Sequence, residues 1–238
     1  MSPFVMHLAA EAGADVLVRE DSVHDAYRTT GGSFSTTIPL APGSVAGERL
    51  IACIGFSADV GLAMDELGFP AGWSFVAQAD GGYRSRGAMY SKEVTSADVA
   101  AGEVAVTVTV TQDRIASFKS FQVMHISPTA AQKAETLTGG NKTSLPGLEL
   151  TGVASGNLLV AFIVSRQRST FAITDARSFI QLGDILPQPN DDTYLTDHPI
   201  LYVGYRIAPS AGAYTSPSSS IATADSMNDA HVEFLGAA

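Results

Sequence analysis

The sequence predicts an all-β protein built from two tandem antiparallel β-sandwich repeats packed together. Three observations carry that prediction. A turn feeding an apolar strand recurs 109 residues apart, first as Gly47-Glu48-Arg49-Leu50-Ile51-Ala52-Cys53-Ile54 and again as Gly156-Asn157-Leu158-Leu159-Val160-Ala161-Phe162-Ile163. From Val104 to Thr111 a valine stands at every second position, with Ala or Thr between. That is the period of a strand with one buried face, in β-branched residues that disfavour a helix. Finally, the apolar runs are short and bounded by Gly, Pro, Asn and Ser, and helix signals are scarce.

Residues 1–32 match neither repeat and end at Gly31-Gly32, so an N-terminal arm or extra strand is expected there. The first repeat is placed at 33–128. It opens with a strand over Phe34 to Leu40, turns at Ala41-Pro42-Gly43, and enters the buried strand that contains Cys53. A short turn is expected between Ala58 and Gly68, followed by the run Trp73-Ser74-Phe75-Val76, with Trp73 assigned to the core. Ala88-Met89-Tyr90 continues the sheet, Ser96 to Ala101 makes a brief helix capped by Ser96, and Ser117 to Ile126 closes the unit.

The second repeat is placed at 142–238 and follows the same order. Leu145 to Leu150 precedes the turn at Thr151-Gly152, and the strand after Asn157 matches the Cys53 strand. Phe179-Ile180-Gln181-Leu182 matches the Trp73 run, Leu201 to Tyr205 matches the Tyr90 strand, and His231 to Leu235 closes the chain. His125 and His231 fall in the two closing strands and read as corresponding structural positions.

Composition bounds the function. With 238 residues, 45% hydrophobic and a mean hydropathy of +0.15, the chain has ample material for a core. Fourteen basic against 24 acidic residues give a net charge of -10, which argues against nucleic acid as a partner. The basic pairs Arg84/Arg86 and Arg166/Arg168 read as solvated charge. The single cysteine, Cys53, allows no intrachain disulfide and no multi-cysteine zinc site, and reads as a small core hydrophobe. No apolar run reaches the ~20 residues that cross a bilayer, and Met1 to Ala10 lacks a basic leader, so cytoplasmic synthesis without membrane insertion is expected.

Catalytic motifs are absent from the sequence: there is no G-x-S-x-G elbow, phosphate loop, H-E-x-x-H or Cys/His cluster. The expectation is a protein that is not an enzyme and carries no cofactor. One oxygen-rich loop, with Asn190, Asp191, Asp192 and Asp197, has ligand types suited to Ca²⁺ but not the spacing of an EF-hand, and reads first as a solvated turn. The pairs Asp65/Glu66 and Asp225/Asp229 are of a kind any acidic chain supplies by chance. Tyr83, Tyr194 and Tyr214 stand in Gly/Ser/Asp-rich stretches expected to be loops, where their rings are candidates to stack on sugars or pack on a partner.

The succession Leu40-Ala41-Pro42-Gly43-Ser44-Val45-Ala46-Gly47-Glu48-Arg49-Leu50-Ile51, Pro70-Ala71-Gly72-Trp73 and Met89-Tyr90-Ser91-Lys92-Glu93-Val94 resembles a jelly-roll-like module of tailed-phage and gene transfer agent virion proteins. The first repeat departs from that pattern at Glu48-Arg49. The second keeps Gly156-Asn157-Leu158-Leu159 but lacks the Gly-Trp turn. The resemblance implies a jelly-roll-like fold and a part of a phage-like particle, of the kind found in head spikes, capsid fibres and tail appendages; a head spike, fibre or decoration protein is the reading preferred over a tail part. A location at the particle surface, self-association into a homo-oligomer and contact with other virion proteins are expected of such a part, and the loop tyrosines make host surface polysaccharide a further candidate partner. A lectin-like carbohydrate-binding module and a polysaccharide-degrading enzyme are the alternatives.

Overall fold

The computed structural model describes residues 15–28, 33–57, 67–80, 85–110, 115–127, 133–166, 171–185 and 199–236. The first half contains β1 (Leu17–Arg28), β2 (Phe34–Pro39), β3 (Arg49–Ser57), β4 (Leu67–Gly68), β5 (Trp73–Asp80), β6 (Ser85–Glu93), α1 (Ser96–Ala101), β7 (Glu103–Val110) and β8 (Ile115–Met124). The second half contains β9 (Lys133–Leu145), β10 (Glu149–Val153), β11 (Leu158–Ser165), β12 (Ala172–Asp175), β13 (Ile180–Gln181), β14 (Ile200–Ile207), β15 (Gly212–Thr215) and β16 (Ser218–Phe234). The chain is an all-β protein of antiparallel sheets.

The duplication is legible in the strand order. The large sheet of the first half runs β1-β8-β3-β6-β5, and that of the second runs β9-β16-β11-β14-β13. Counted from the first strand of each half, both orders are first, last, third, sixth, fifth. Opposite the first large sheet stands a small one, β2-β7-β4; the second half has β10-β15, with β12 paired to the start of β16. This is a jelly-roll-like sandwich made twice. Pro217, just before β16, has no amide proton and separates β15 from a stretch that is continuous within β7.

Two boundaries move. β1 pairs with β8 from Leu17↔Met124 to Arg28↔Ala116, so residues 17–28 are the edge strand of the first sandwich and belong inside that unit. β9 likewise pairs with β16 from Lys133 onward, so the second unit begins before residue 142. Both strands escape a reading of the repeat because a jelly roll pairs its first strand with its last, about a hundred residues away. The segment Leu145 to Leu150 is also not one strand: Pro146-Gly147-Leu148 separates β9 from β10, with Gly147 at φ +87. The cap of α1 is Thr95 rather than Ser96. Its hydroxyl accepts from the Asp98 amide, and the Asp98 carboxylate accepts from the Thr95 amide, a complete capping box.

The two large sheets pack face to face, which explains why β3 and β11 are apolar at nearly every position. Leu50, Ala52, Ile54 and Phe56 point into the first sandwich with Val104, Val106, Val108 and Phe118. Ile51 and Cys53 point the other way, into a seam shared with Leu158, Val160, Phe162 and Val164 of β11. Each fully buried side chain of this size stabilises by roughly 1.5–3 kcal/mol. Gly55 and Gly87, directly opposite each other on β3 and β6, make room for the second unit. A Cβ on Gly87 would lie 2.6 Å from Val164 and 2.8 Å from Phe162. Polar bonds tie the rim of the seam: Ser117 Oγ donates to the Pro199 carbonyl at 2.6 Å and Asn228 Nδ2 to Ser85 Oγ at 2.9 Å.

The repeated turns are held by the same device with its parts exchanged. In the first unit the Glu48 carboxylate accepts from Gln122 Nε2 (2.9 Å), from the Val45 amide (3.1 Å) and from Arg19 (2.8 Å). In the second, Glu233 is the acid, accepting from Asn157 Nδ2 at 2.6 Å and from the Ala154 amide at 3.2 Å. The registers make Glu48 the counterpart of Asn157 and Gln122 that of Glu233. The acid and the amide have changed strands while the bond between them persists.

Candidate functional site

Duplicated units that share a fold point to function where they differ, and two such places stand out in their chemistry. The first is a surface patch of aromatic rings on the first unit. The turn Pro70-Ala71-Gly72, with Gly72 at φ +90, launches β5 so that Trp73 and Phe75 lie two residues apart on one face. Phe75 stands opposite Tyr90 and meets its ring edge-on at 5.6 Å. Phe69 stacks on Tyr90 at 3.7 Å, and Trp73 meets Phe69 edge-on at 5.5 Å. A bulge at Val76 then reverses the alternation, so Ala77 and Ala79 face the seam while Phe75 remains 54% exposed.

Beside these rings sits an ordered ion pair. Lys92, opposite Trp73, is bonded to Asp98, which also accepts from the Thr95 hydroxyl at 2.7 Å. Burial alone pushes the Asp98 carboxyl up, but the bonds from Lys92 and Thr95 outweigh it and hold the group below the usual carboxylate range. The patch therefore offers ring faces bordered by fixed charge. Aromatic rings beside polar groups have the chemistry to meet a sugar ring or an apolar side chain. In the second unit Gly204 replaces Tyr90 and Gln181 replaces Phe75, and among the described residues no equivalent patch forms. The missing ring volume is supplied from two residues away: Tyr202 lies over Gly204 and fills the core there.

The second place of divergence is inside the second sandwich. Asp229 and His231 of β16 stand where the first unit has Phe118 and Ser120. Ser216 Oγ donates to Asp229 Oδ2 at 2.8 Å and accepts from the Leu148 amide at 2.8 Å; His231 Nδ1 lies 3.0 Å from the Leu148 carbonyl. Asp229 and His231 are both fully buried. Burial pushes the Asp229 carboxyl up to about 7, against a smaller lowering by Ser216, and pushes His231 down to about 4. Ser, His and Asp meet here, but the hydroxyl serves the carboxylate rather than the imidazole, and the fully buried Asp229 and His231 cannot reach a substrate. The arrangement clamps two irregular segments, Pro146-Gly147-Leu148 and Ser216-Pro217, onto the sheet.

The sequence-predicted positions fare differently. Tyr214 is not a loop aromatic: it lies in β15, is 8% exposed, donates to the Ser210 carbonyl at 2.6 Å and receives the Arg206 guanidinium on its face at 4.8 Å. Gly and Ser around it are the turn at the start of a short strand, which composition does not distinguish from a loop. Tyr83, Tyr194 and the loop with Asn190, Asp191, Asp192 and Asp197 lie outside the described residues, as do Asp65 and Glu66.

Trp73 is half-buried at the rim of the core rather than inside it, because β5 is the sheet edge. Arg86 is buried, not solvated. His125 is exposed at φ 59 beyond the end of β8, so it is no counterpart of the buried His231. Cys53 is buried in the seam as expected, its thiol pushed up by burial. Sequence reasoning missed Phe69 and Phe75; the alternation Trp73-x-Phe75 beside a Gly turn was the available signal.

Among the described residues no three His, Cys, Asp or Glu side chains group as metal ligands, and no helix is long and apolar enough to cross a membrane. No protein-family model and no curated protein matches the chain.

Proposed function

We propose that this chain is a structural component of a phage or phage-like particle, a head spike, fibre or decoration protein that works by assembly rather than by catalysis. The observation that carries the reading is the duplicated jelly-roll-like sandwich fused back to back through a continuous apolar seam. A block with one core shared by both units suits a part held on a particle surface. The resemblance of the Pro42-Gly43, Gly72-Trp73 and Tyr90 segments to virion modules points the same way. Light scattering on the full chain, with co-sedimentation against particles from the same source, tests it. A closed homo-oligomer that sediments with particles is the expected result; a stable monomer that stays in the supernatant overturns it.

The aromatic patch favours a second reading, a carbohydrate-binding module, which is compatible with the first. Host surface polysaccharide would stack on Phe75 and Trp73, with Lys92 and Asp98 at the border. A glycan array should then give signal with the native chain and lose it with Phe75→Ala. A native chain that binds no glycan leaves the patch to a protein partner.

A further inference from the structure

We propose that Lys119 and Asp25 condense with each other, without an enzyme, into a side-chain amide that staples the first strand of the first sandwich to its last. The register of β1 and β8 sets the two residues directly opposite. Lys119 Nζ lies 2.5 Å from Asp25 Oδ1, and the lysine side chain is 0% exposed while that of Asp25 is 28% exposed. The second unit covers them: a Cβ at Gly183 would stand 3.0 Å from Lys119 Nζ and 3.2 Å from Asp25 Oδ2. Buried Cys53 lies opposite Lys119 on the other neighbouring strand.

An ammonium has three N–H donors, and among the described residues this one is hydrogen-bonded to a single carboxylate, so as an ion pair it is poorly compensated for the water it has lost. Burial raises the Asp25 carboxyl, the bond and charge of Lys119 and the charge of His24 lower it, and Asp184 raises it, with the net shift upward. The upward shift of Asp25 favours the neutral acid that condensation needs. A proton passes from Nζ to the carboxylate. The Nζ lone pair then forms a bond to Cγ, the bond from Cγ to one oxygen breaks, and that oxygen leaves as water with the two protons the reaction removes from nitrogen and acid. No electron is gained or lost. Fixed opposition of the two groups replaces an activating reagent.

The second unit has Ala230 at the position of Lys119, so the device belongs to the first alone. There it secures β1, an edge strand whose pairing with β8 is interrupted between Arg19 and His24. The inference stands apart from the virion and carbohydrate readings.

Intact mass spectrometry of the purified full chain, read after denaturation, decides it. The expected mass is one water below that of the sequence, with a branched tryptic peptide joining the Asp25 and Lys119 segments. Lys119→Met and Asp25→Ala should each restore the full mass, and Asp25→Asn should lose ammonia in place of water. A native chain at its full sequence mass after prolonged incubation across a range of pH overturns the proposal. That measurement needs no variant to fold.

Discussion

Asp229 and His231 carry opposite consequences for stability, and each can be exposed by removing the other. Asp229 titrates at about 7 in the folded chain against a model-peptide value of 3.8, so its proton stabilises the fold at low pH and that contribution is lost as pH rises toward 7. His231 titrates at about 4 against 6.5, so its contribution is present above 6.5 and is lost as pH falls toward 4. The two slopes oppose each other between about 4 and 6.5, each worth up to about 1.4 kcal/mol per pH unit. Chemical denaturation of Asp229→Asn should therefore show stability rising with pH in that window, and of His231→Gln stability falling. Parallel profiles for both variants and the native chain would contradict the pairing. Gly87 makes a purely steric prediction: Gly87→Ala forces a Cβ against Val164 and Phe162 and should cost about 1–3 kcal/mol, measured by the shift in denaturation midpoint.

Among the elements, α1 has no buried residue and depends on its ends. Thr95→Ala removes the hydroxyl that caps it and one of the bonds that hold Asp98 beside Lys92, and should cost about 1 kcal/mol in the same measurement. β5 shows how one extra residue decides a surface. Without the bulge at Val76, strict alternation from Phe75 would place Phe75, Ala77 and Ala79 on one face; with it, Phe75 turns outward and the alanines fit the seam. Sequence periodicity identifies such a strand but not its bulge, because nothing in Trp73-Ser74-Phe75-Val76 marks which residue is left unpaired. Tyr214 failed for a related reason. A four-residue strand flanked by Gly and Ser has too little pattern of its own, and only its pairing with β10 buries the ring.

For the whole molecule, the seam makes each unit dependent on the other. Residues 133–236 expressed alone would expose Leu158, Val160, Phe162, Val164, Leu201 and Val203 together, and light scattering should find aggregates or dimers. A stable monomer would show the seam to be dispensable. The N-terminal boundary also has a sharp test. Deleting residues 1–30 removes β1 and leaves Lys119 in the seam without Asp25, a loss of about 3–5 kcal/mol for the unpaired charge alone, read as a lowered melting temperature.

By itself the sequence determined the fold class and the fact of duplication, because both are written in local terms: alternating β-branched residues, Gly and Pro turns, and an apolar strand repeated at a fixed distance. It also determined that Cys53 is a core residue, since its run is apolar on both faces. What lay beyond it depends on distant partners. That β1 and β9 are the opening strands of their units, that Glu48 and Glu233 clamp equivalent turns from opposite sides, and that Lys119 meets Asp25 are consequences of first-to-last strand pairing. Only the tertiary structure brings those residues together, because the pairing that joins them spans a whole unit while the patterns visible in a sequence span a few residues.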